Sequence, residues 1–426
     1  MTRLWKLIYN IILVPVLWIG FQILRLFSAK VRTGIDGRKE LFGALRSYLD
    51  SHPTILRVWV HASSMGEFEQ AKPIIEMLKR SNPDIHVVAT FFSPSGFTNN
   101  QRYTYADHIS YIPIDTIGKA GKFVSMLRPN MAIVIRYDIW PNHIWTCASQ
   151  GVPVLLVNAT MRKGSMRLWP LIRAFHRSLF DCFTAILTVS EDDASGFRSL
   201  RLSRPEVIVA GDTRYDRVMG RVQSARQKPL VTDDVRRGRT VVVFGSSWTE
   251  DEEVFLPVLF KLLERNAPCL FIIVPHEPTI EHLETIEYKL RGKATSLRFS
   301  FIGRYDNEQV LIVDSIGNLL SLYASADIAF VGGGFKSNVH NTLEPAAYGI
   351  PVLYGPKIGN SREAAELAEA GGSIVVHNKQ ELYRHMLTLL QDEEIRKSMG
   401  KCAGDFVGAR SGSTEVIVAH VMDAIQ

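Results

Sequence analysis

The four cysteines, Cys147, Cys182, Cys269 and Cys402, have no pairing rhythm and no CxxC among them. That usage favours a reducing compartment and argues against a structural zinc site. No HExxH and no metal-spaced His/Cys cluster occurs, which removes the zinc-peptidase pattern. No strict DxD occurs, so the carboxylate pair that often holds a divalent ion for sugar-nucleotide chemistry is missing. The serine-hydrolase GxSxG, the GxxxxGK[ST] phosphate loop and the dinucleotide GxGxxG are absent as well. Charge of one sign is also scarce. With 49 Lys and Arg against 43 Asp and Glu, the net charge is +6 over 426 residues. This is too dilute for a nucleic-acid binder, but it suits an anionic membrane surface or phosphorylated substrates.

What is present begins with length. A chain of 426 residues, 46% hydrophobic, is too long for one ordinary core and suggests two domains. Its first stretch, Leu4 to Phe27, is almost wholly apolar, and Ile11 to Phe21 contains no polar residue. A bilayer span needs about 20 such residues, reached here only by including Asn10 and Gln22. No small-x-small cleavage site follows at Leu26–Lys30. Trp5, Tyr9, Trp18 and Phe27 suit an interface, and Arg25, Lys30, Arg32, Arg38 and Lys39 form a basic flank. Together they predict a membrane anchor with the remainder on the cytoplasmic side of the inner membrane. Spanning and interfacial placements both fit, and a hydrophobic helix docked on the protein itself is the plainer alternative.

Beyond the anchor, short apolar runs alternate with helical patterns. The runs are 58–60, 85–89, 131–135, 152–157, 185–189 and 207–209, then 241–244, 270–274, 310–313, 328–331, 351–353 and 373–376. Runs this short and this apolar read as parallel strands covered on both faces. The pattern predicts an α/β fold of two Rossmann-like domains facing a cleft. The boundaries are an anchor over 1–30, a first domain over 31–216, a polar linker over 217–239 and a second domain over 240–426. Ligands of such sheets lie beyond the carboxyl ends of the strands.

The loops at those ends carry the candidate chemistry. After the first run comes HASSMGE, in which Ser64 and Glu67 open a helix. Glu67 is there either a first-turn cap or a carboxylate kept ionised for proton transfer. Ser93 and Ser95 in TFFSPSG cap a helix or meet a polar substrate; Arg136 and Asp138 in RYDIWPN bind an anion or pair with each other. In the second half, Gly245, Ser246 and Ser247 precede acids at a helix start, and His276 lies in a rigid Pro-His-Glu-Pro turn. The densest stretch runs from Ile328 to Pro356. There Gly332, Gly333 and Gly334 permit close backbone approach to a ligand, and Lys336 follows. Next comes a helix start near Thr342, suited to a phosphate, with Asn341 before it and Glu344 placed to accept from ribose hydroxyls.

In combination the anchor, HASSMGE, TFFSPSG, RYDIWPN, NATMR, GDTRYDRV, GSSWTEDEE, VPHEP, DSIGNLLSLYASADIAFVGGGF and HNTLEPAAYGIPVLYGP resemble the 3-deoxy-D-manno-octulosonic acid (Kdo) transferases of lipopolysaccharide assembly. The resemblance spans nearly the whole chain. It implies a membrane-associated, inverting GT-B glycosyltransferase that moves Kdo from CMP-Kdo to a lipid A precursor (lipid IVA) without a metal or other cofactor. Glu67 matches the family's base, with Asp138 beside it as a second acid. The donor site implied comprises Gly245, Ser246, Ser247, His276, Ile316, Gly317, Asn318, Gly333, Gly334, Asn341 and Glu344. On the acceptor side stand Ser64, Ser93, Ser95 and Arg136. Two departures bear on this. Many members have two glutamates where this chain has Arg136 and Asp138, and the Arg-Gly-Gly before His-Asn is missing, with Lys336 as the candidate replacement cation. Another sugar-nucleotide enzyme of the same architecture, or a tethered nucleotide-binding protein without activity, is the alternative.

Overall fold

A computed structural model describes residues 2–53, 56–162, 164–227 and 229–425. It divides into two compact units, Met1–Arg217 with Ser411–Gln426, and Val218–Arg410.

The first unit is built on a seven-stranded parallel sheet: β1 (Arg57–Ala62), β2 (His86–Phe91), β3 (His108–Tyr111), β4 (Met131–Ile135), β5 (Val154–Ala159), β6 (Ala185–Thr188) and β7 (Glu206–Val209). Its order is β3-β2-β1-β4-β5-β6-β7, so the winding reverses at β1. The second unit holds β8 (Thr240–Ser247), β9 (Cys269–Pro275), β10 (Ser296–Arg298), β11 (Val310–Ile312), β12 (Ile328–Val331), β13 (Val352–Tyr354) and β14 (Ser373–Val375). These run β10-β11-β9-β8-β12-β13-β14, again all parallel, and reverse at β8.

All twelve predicted runs are strands. Central strands such as β1, β4 and β9 are buried at every position, because helices cover both faces and each side chain faces a core. Burying one such Val, Ile or Phe contributes roughly 1.5–3 kcal/mol. The two strands missed, β3 and β10, are edge strands. His108-Ile-Ser-Tyr and Ser296-Leu-Arg are partly exposed, so neither needs a continuous apolar run.

Two boundaries differ from the sequence reading. The predicted linker is largely ordered: a helix spans Thr213–Arg226 and a short one Asp233–Arg236, while Lys228 lies outside the described residues. Tyr215, Val218 and Val222 are buried at helical spacing, a stripe too thin to stand out against its charged and polar neighbours. The final helix, Ser413–Ile425, belongs to the first unit rather than the second. Asp216 holds its start, accepting from the backbone N–H groups of Gly412 and Thr414 and from the Thr414 hydroxyl.

The N-terminal segment is helical from Thr2 to Phe27, with a π-helical turn at Tyr9–Leu13. Its length and hydropathy would allow a membrane crossing, and almost none of it is buried. Yet it is fastened to the first unit. Tyr9 donates to Asp115, Asn10 and Asn142 exchange side-chain hydrogen bonds, Trp5 packs edge-on to Phe175, and Phe21 lies 5.8 Å from Phe92. The residues left exposed, Ile11, Ile12, Val16, Ile19, Ile23 and Phe27 among them, form one apolar surface. The basic flank is smaller than the sequence suggests. Arg38 is not a surface cation: it donates to the carbonyls of Gly34, Phe92 and Ile112 and lies between the Phe92 and Tyr111 rings. Arg25 pairs with Asp36.

Candidate active site

In each sheet the loops flanking the reversal are those after β1 and β4, and after β8 and β12, and a crevice forms there for topological reasons. The motifs singled out in the sequence lie at these and neighbouring strand ends.

In the first unit, β1 ends at His61-Ala62 and the helix Met65–Ser81 starts at Ser64. Glu67 closes a capping box: its Oε2 accepts from the Ser64 backbone N–H at 3.0 Å and from the Ser64 hydroxyl. Among the described residues Oε1 has no hydrogen-bond partner, and the side chain is only partly buried. The capping reading is therefore realised, and it consumes one of the two carboxylate oxygens.

Asp138, after β4, is held separately. Its Oδ2 accepts from His61 Nε2 at 3.0 Å and from the Trp140 indole N–H at 3.2 Å. Burial works against its charge, but hydrogen bonds from His61, Ser63 and Trp140 hold the carboxyl below the usual carboxylate range. Trp59 donates its indole N–H to Thr90 Oγ1, and Thr90 Oγ1 in turn meets His61 Nδ1 at 2.9 Å. With Nε2–H committed to the carboxylate, the Thr90 hydroxyl hydrogen is free to serve Nδ1, which fixes the tautomer. Arg136 makes no ion pair with Asp138. It is left-handed at φ +63°, its Nε is buried without a partner, and its guanidinium lies 5.9 Å from the Tyr137 ring.

Ser93 caps the helix Pro94–Asn100 through Gly96 N–H, and its hydroxyl lies 3.2 Å from that of Ser95. Ser93 N–H also donates to Ser63 O at 2.8 Å. A Cβ on Gly96 would press on Phe91 and on the Ser64 backbone, so glycine is what lets this helix approach the HASSMGE turn. Successive serines of one loop, Ser63 and Ser64, thus connect Asp138, Glu67 and the TFFSPSG loop.

Other motifs turn out to be fastenings. Asp115 binds the start of the helix Pro141–Ser149 through the N–H groups of Asn142 and His143, so the Pro-Asn of RYDIWPN anchors structure. Asn158 and Thr213, from NATMR and GDTRYDRV, bond each other, and Thr213 donates to Gln70 O.

In the second unit the glycines are used mainly for packing. A Cβ on Gly245 would overlap Tyr323, on Gly332 the Ser246 carbonyl, and on Gly334 the backbone of Gly355. Ser246 is left-handed at φ +53° in a bulge of β8, and Ser247 is buried and donates to Glu252. Gly333, at φ +88°, donates its N–H to Asp251 Oδ2 at 2.7 Å, and Asp251 also takes the N–H groups of Phe335 and Trp248. Burial raises the Asp251 carboxyl above its usual range against those three N–H groups. Asp251 therefore sets the shape of the glycine-rich loop, a role missed in the sequence, where it stands only as one of several acids opening a helix.

Around that loop lies an aromatic cluster. His276 and His340 stack at 4.2 Å and 14°, Trp248 lies 4.7 Å from His276, and Lys336 Nζ sits 3.2 Å above the Trp248 ring. The Trp248 indole N–H donates to His340 Nε2 at 2.9 Å. Burial, aided by the charges of His276 and Lys336, pushes the His340 imidazole down to about 4, which keeps Nε2 an acceptor. His340 and Trp248 were not singled out from sequence. Ile316 and Gly317 are exposed in the loop after β11, and Asn318 donates to Ser315 there.

The helix expected near Thr342 is a correction. It spans only Leu343–Ala347, and Asn341 Oδ1 already takes Leu343 N–H. A single turn sums few peptide dipoles, so it supplies little of the field expected for a phosphate. Glu344 pairs with Arg221 at 2.9 Å, and burial raises its carboxyl above the usual range despite that partner. Among the described residues no three His, Cys, Asp or Glu side chains gather as metal ligands.

Residues 36–217 match the family model described as 3-Deoxy-D-manno-octulosonic-acid transferase (kdotransferase). The chain is 26% identical over 433 residues to the 3-deoxy-D-manno-octulosonic acid transferase of Haemophilus influenzae, covering 97% of each chain. It is 29% identical over 378 residues to a probable mitochondrial 3-deoxy-D-manno-octulosonic acid transferase of Arabidopsis thaliana, covering 83% of each. Among solved structures it resembles the UDP-GlcNAc 2-epimerase of Neisseria meningitidis, with a TM-score of 0.59 and 18% identity over 86% of this chain and 100% of that one. MurG of Acinetobacter baumannii follows at 0.55 and 14%, over 86% and 99%. At those identities the structural likeness establishes the fold, two Rossmann-like domains of the GT-B type. Fold, motifs and sequence relatives agree: the chain is similar to the 3-deoxy-D-manno-octulosonic acid transferases along most of its length, and these homologues mark it as a glycosyltransferase.

Proposed function

We propose that the protein transfers Kdo from CMP-Kdo to a glucosamine hydroxyl of a lipid A precursor, lipid IVA, with inversion and without a metal, and that Glu67 is the general base. The observation that carries this reading is the asymmetry of the Glu67 carboxylate. Oε2 is fixed by Ser64 at a helix start, while Oε1 is left without a partner among the described residues. A positioned, ionised oxygen is what a base needs.

In the proposed step Oε1 takes the proton of the acceptor hydroxyl as its oxygen bonds to the anomeric carbon of Kdo. The bond from that carbon to the CMP phosphate oxygen breaks on the opposite face, and CMP leaves with the electron pair. Asp138, charged and held by His61, is placed to orient the acceptor sugar. In the second unit Lys336 offers a cation to the departing phosphate, and Trp248, His276 and His340 offer flat surfaces and a neutral imidazole to the nucleotide. Exposed Ile316 and Gly317, with half-buried Asn318 beside them, offer a rim for the donor.

We also place the protein on the inner membrane, with its N-terminal helix in the interface rather than across it. Contacts to the first unit occur near both ends of that helix, at Trp5, Tyr9 and Asn10 and again at Phe21, so a crossing would draw polar surface into the bilayer.

Mass analysis of the product from CMP-Kdo and a defined acceptor tests the reaction and counts the additions. A Kdo–lipid adduct that forms equally with EDTA is expected. CMP release without adduct would sink the transfer reading, and loss of adduct with EDTA would sink the metal-independent part.

A further inference from the structure

Beside the loops of the first unit lies an apolar cavity of about 230 Å³. Its wall is made by Phe21 of the N-terminal helix, Val31 and Ile35 of the helix Ala29–Asp36, Phe92 and Pro94 after β2, and Ile114. Lys30 stands at the rim, and it and Arg32 are exposed. We infer that this cavity receives a fatty-acyl chain of the lipid acceptor, so that the protein reads the acceptor's tail as well as its sugar; the inference rests on the acceptor being a lipid, as proposed above.

Three observations support this, and the first favours the acceptor over a bulk membrane lipid. The cavity wall is wired to the reacting groups. Phe92 stacks on Trp140 at 4.6 Å, and Trp140 donates to Asp138. Ser93, also on the wall, donates its N–H to Ser63, the residue before the Ser64 that holds Glu67. A tail lodged here therefore leaves its headgroup at the loop that carries the proposed base. Second, Phe21 of the apolar N-terminal helix is itself part of the wall, so the cavity adjoins the segment that would meet the bilayer. Third, Lys30, exposed and part of the lining, suits an anionic group on the head of such a lipid. Arg38 is spoken for: its three carbonyl bonds make it a brace for the Phe92 loop rather than a ligand.

The test uses the full chain in detergent micelles and compares equilibrium binding of an acylated glucosamine disaccharide with that of its O-deacylated counterpart. Wild type should prefer the acylated compound by about tenfold or more, the value of burying roughly two methylenes. Val31→Phe and Ile114→Phe fill the cavity from different walls, and each should collapse that preference toward one while thermal melting and nucleotide binding stay as in wild type. Equal binding of both compounds by wild type overturns the inference, as does a preference that survives both substitutions. A preference that survives while binding to acceptor-free vesicles is lost assigns the cavity to a bulk lipid and overturns it too. If wild type shows the preference yet forms no Kdo adduct, the reaction reading fails while the cavity assignment stands.

Discussion

The loops after β1 and β4 and the loops after β8 and β12 sit at the same topological place in two similar sheets, yet they use their motif residues in opposite ways. In the first unit the polar side chains do the work: Ser64, His61 and Trp140 each hold a carboxylate and leave part of it open. In the second unit the glycines give up their side chains to packing, and the shape of the loop depends on Asp251, which none of the glycines announces. A motif residue can be required for its chemistry or for the room it leaves, and only the neighbours decide which.

The largest effect expected from breaking this contrast is at Glu67. Glu67→Gln keeps the cap from Ser64 N–H but removes the basic oxygen, and turnover should fall by about 10²–10⁴-fold with melting near that of wild type. Unchanged turnover in a folded variant would remove Glu67 from the mechanism. Next comes the second unit's clamp. Asp251→Asn retains size but presents an NH₂ where N–H donors converge, and loss of charge-assisted bonds should cost roughly 1.5–3 kcal/mol, seen as a lower denaturant midpoint and a raised KM for donor with kcat less affected. A third change tests packing alone. Gly245→Ala must displace Tyr323, and calorimetry should show about 1–3 kcal/mol lost without a change in the pH profile of the remaining activity.

The smallest expected effect is a pH slope. The His340 imidazole stays neutral in the fold down to about 4, whereas its ordinary value is 6.5. Between those values the unfolded chain binds the proton first, so stability rises with pH across that window and the contribution is complete above it. His340→Asn should flatten stability against pH from 4 to 6.5 by roughly one proton, and an unchanged slope would show that the imidazole is not held neutral.

Much of this is legible in the order of the residues. Both-face burial forces central strands into unbroken apolar runs, so β1, β4, β8 and β12 are visible there, and with them the loops that must follow. Glu67 and Asp138 stand out because strand ends are few. Edge strands β3 and β10 escape because half-exposed backbone imposes no such pattern. Asp115, Asp251 and His340 escape because their partners are distant in sequence: Asp251 meets Gly333 and Phe335, Asp115 meets Tyr9 and His143, and His340 meets Trp248.

The sequence by itself determined the layered α/β architecture, the two sheets and the strand-end position of each motif, since these follow from hydrophobic periodicity and local turn chemistry. Tertiary structure alone decided that the last helix returns to the first unit, that the apolar N-terminal helix is bonded to Asp115 and Asn142, and that Gly245 serves Tyr323. Periodicity fixes which face a residue turns inward, but which distant group it meets there is settled only when the chain closes on itself.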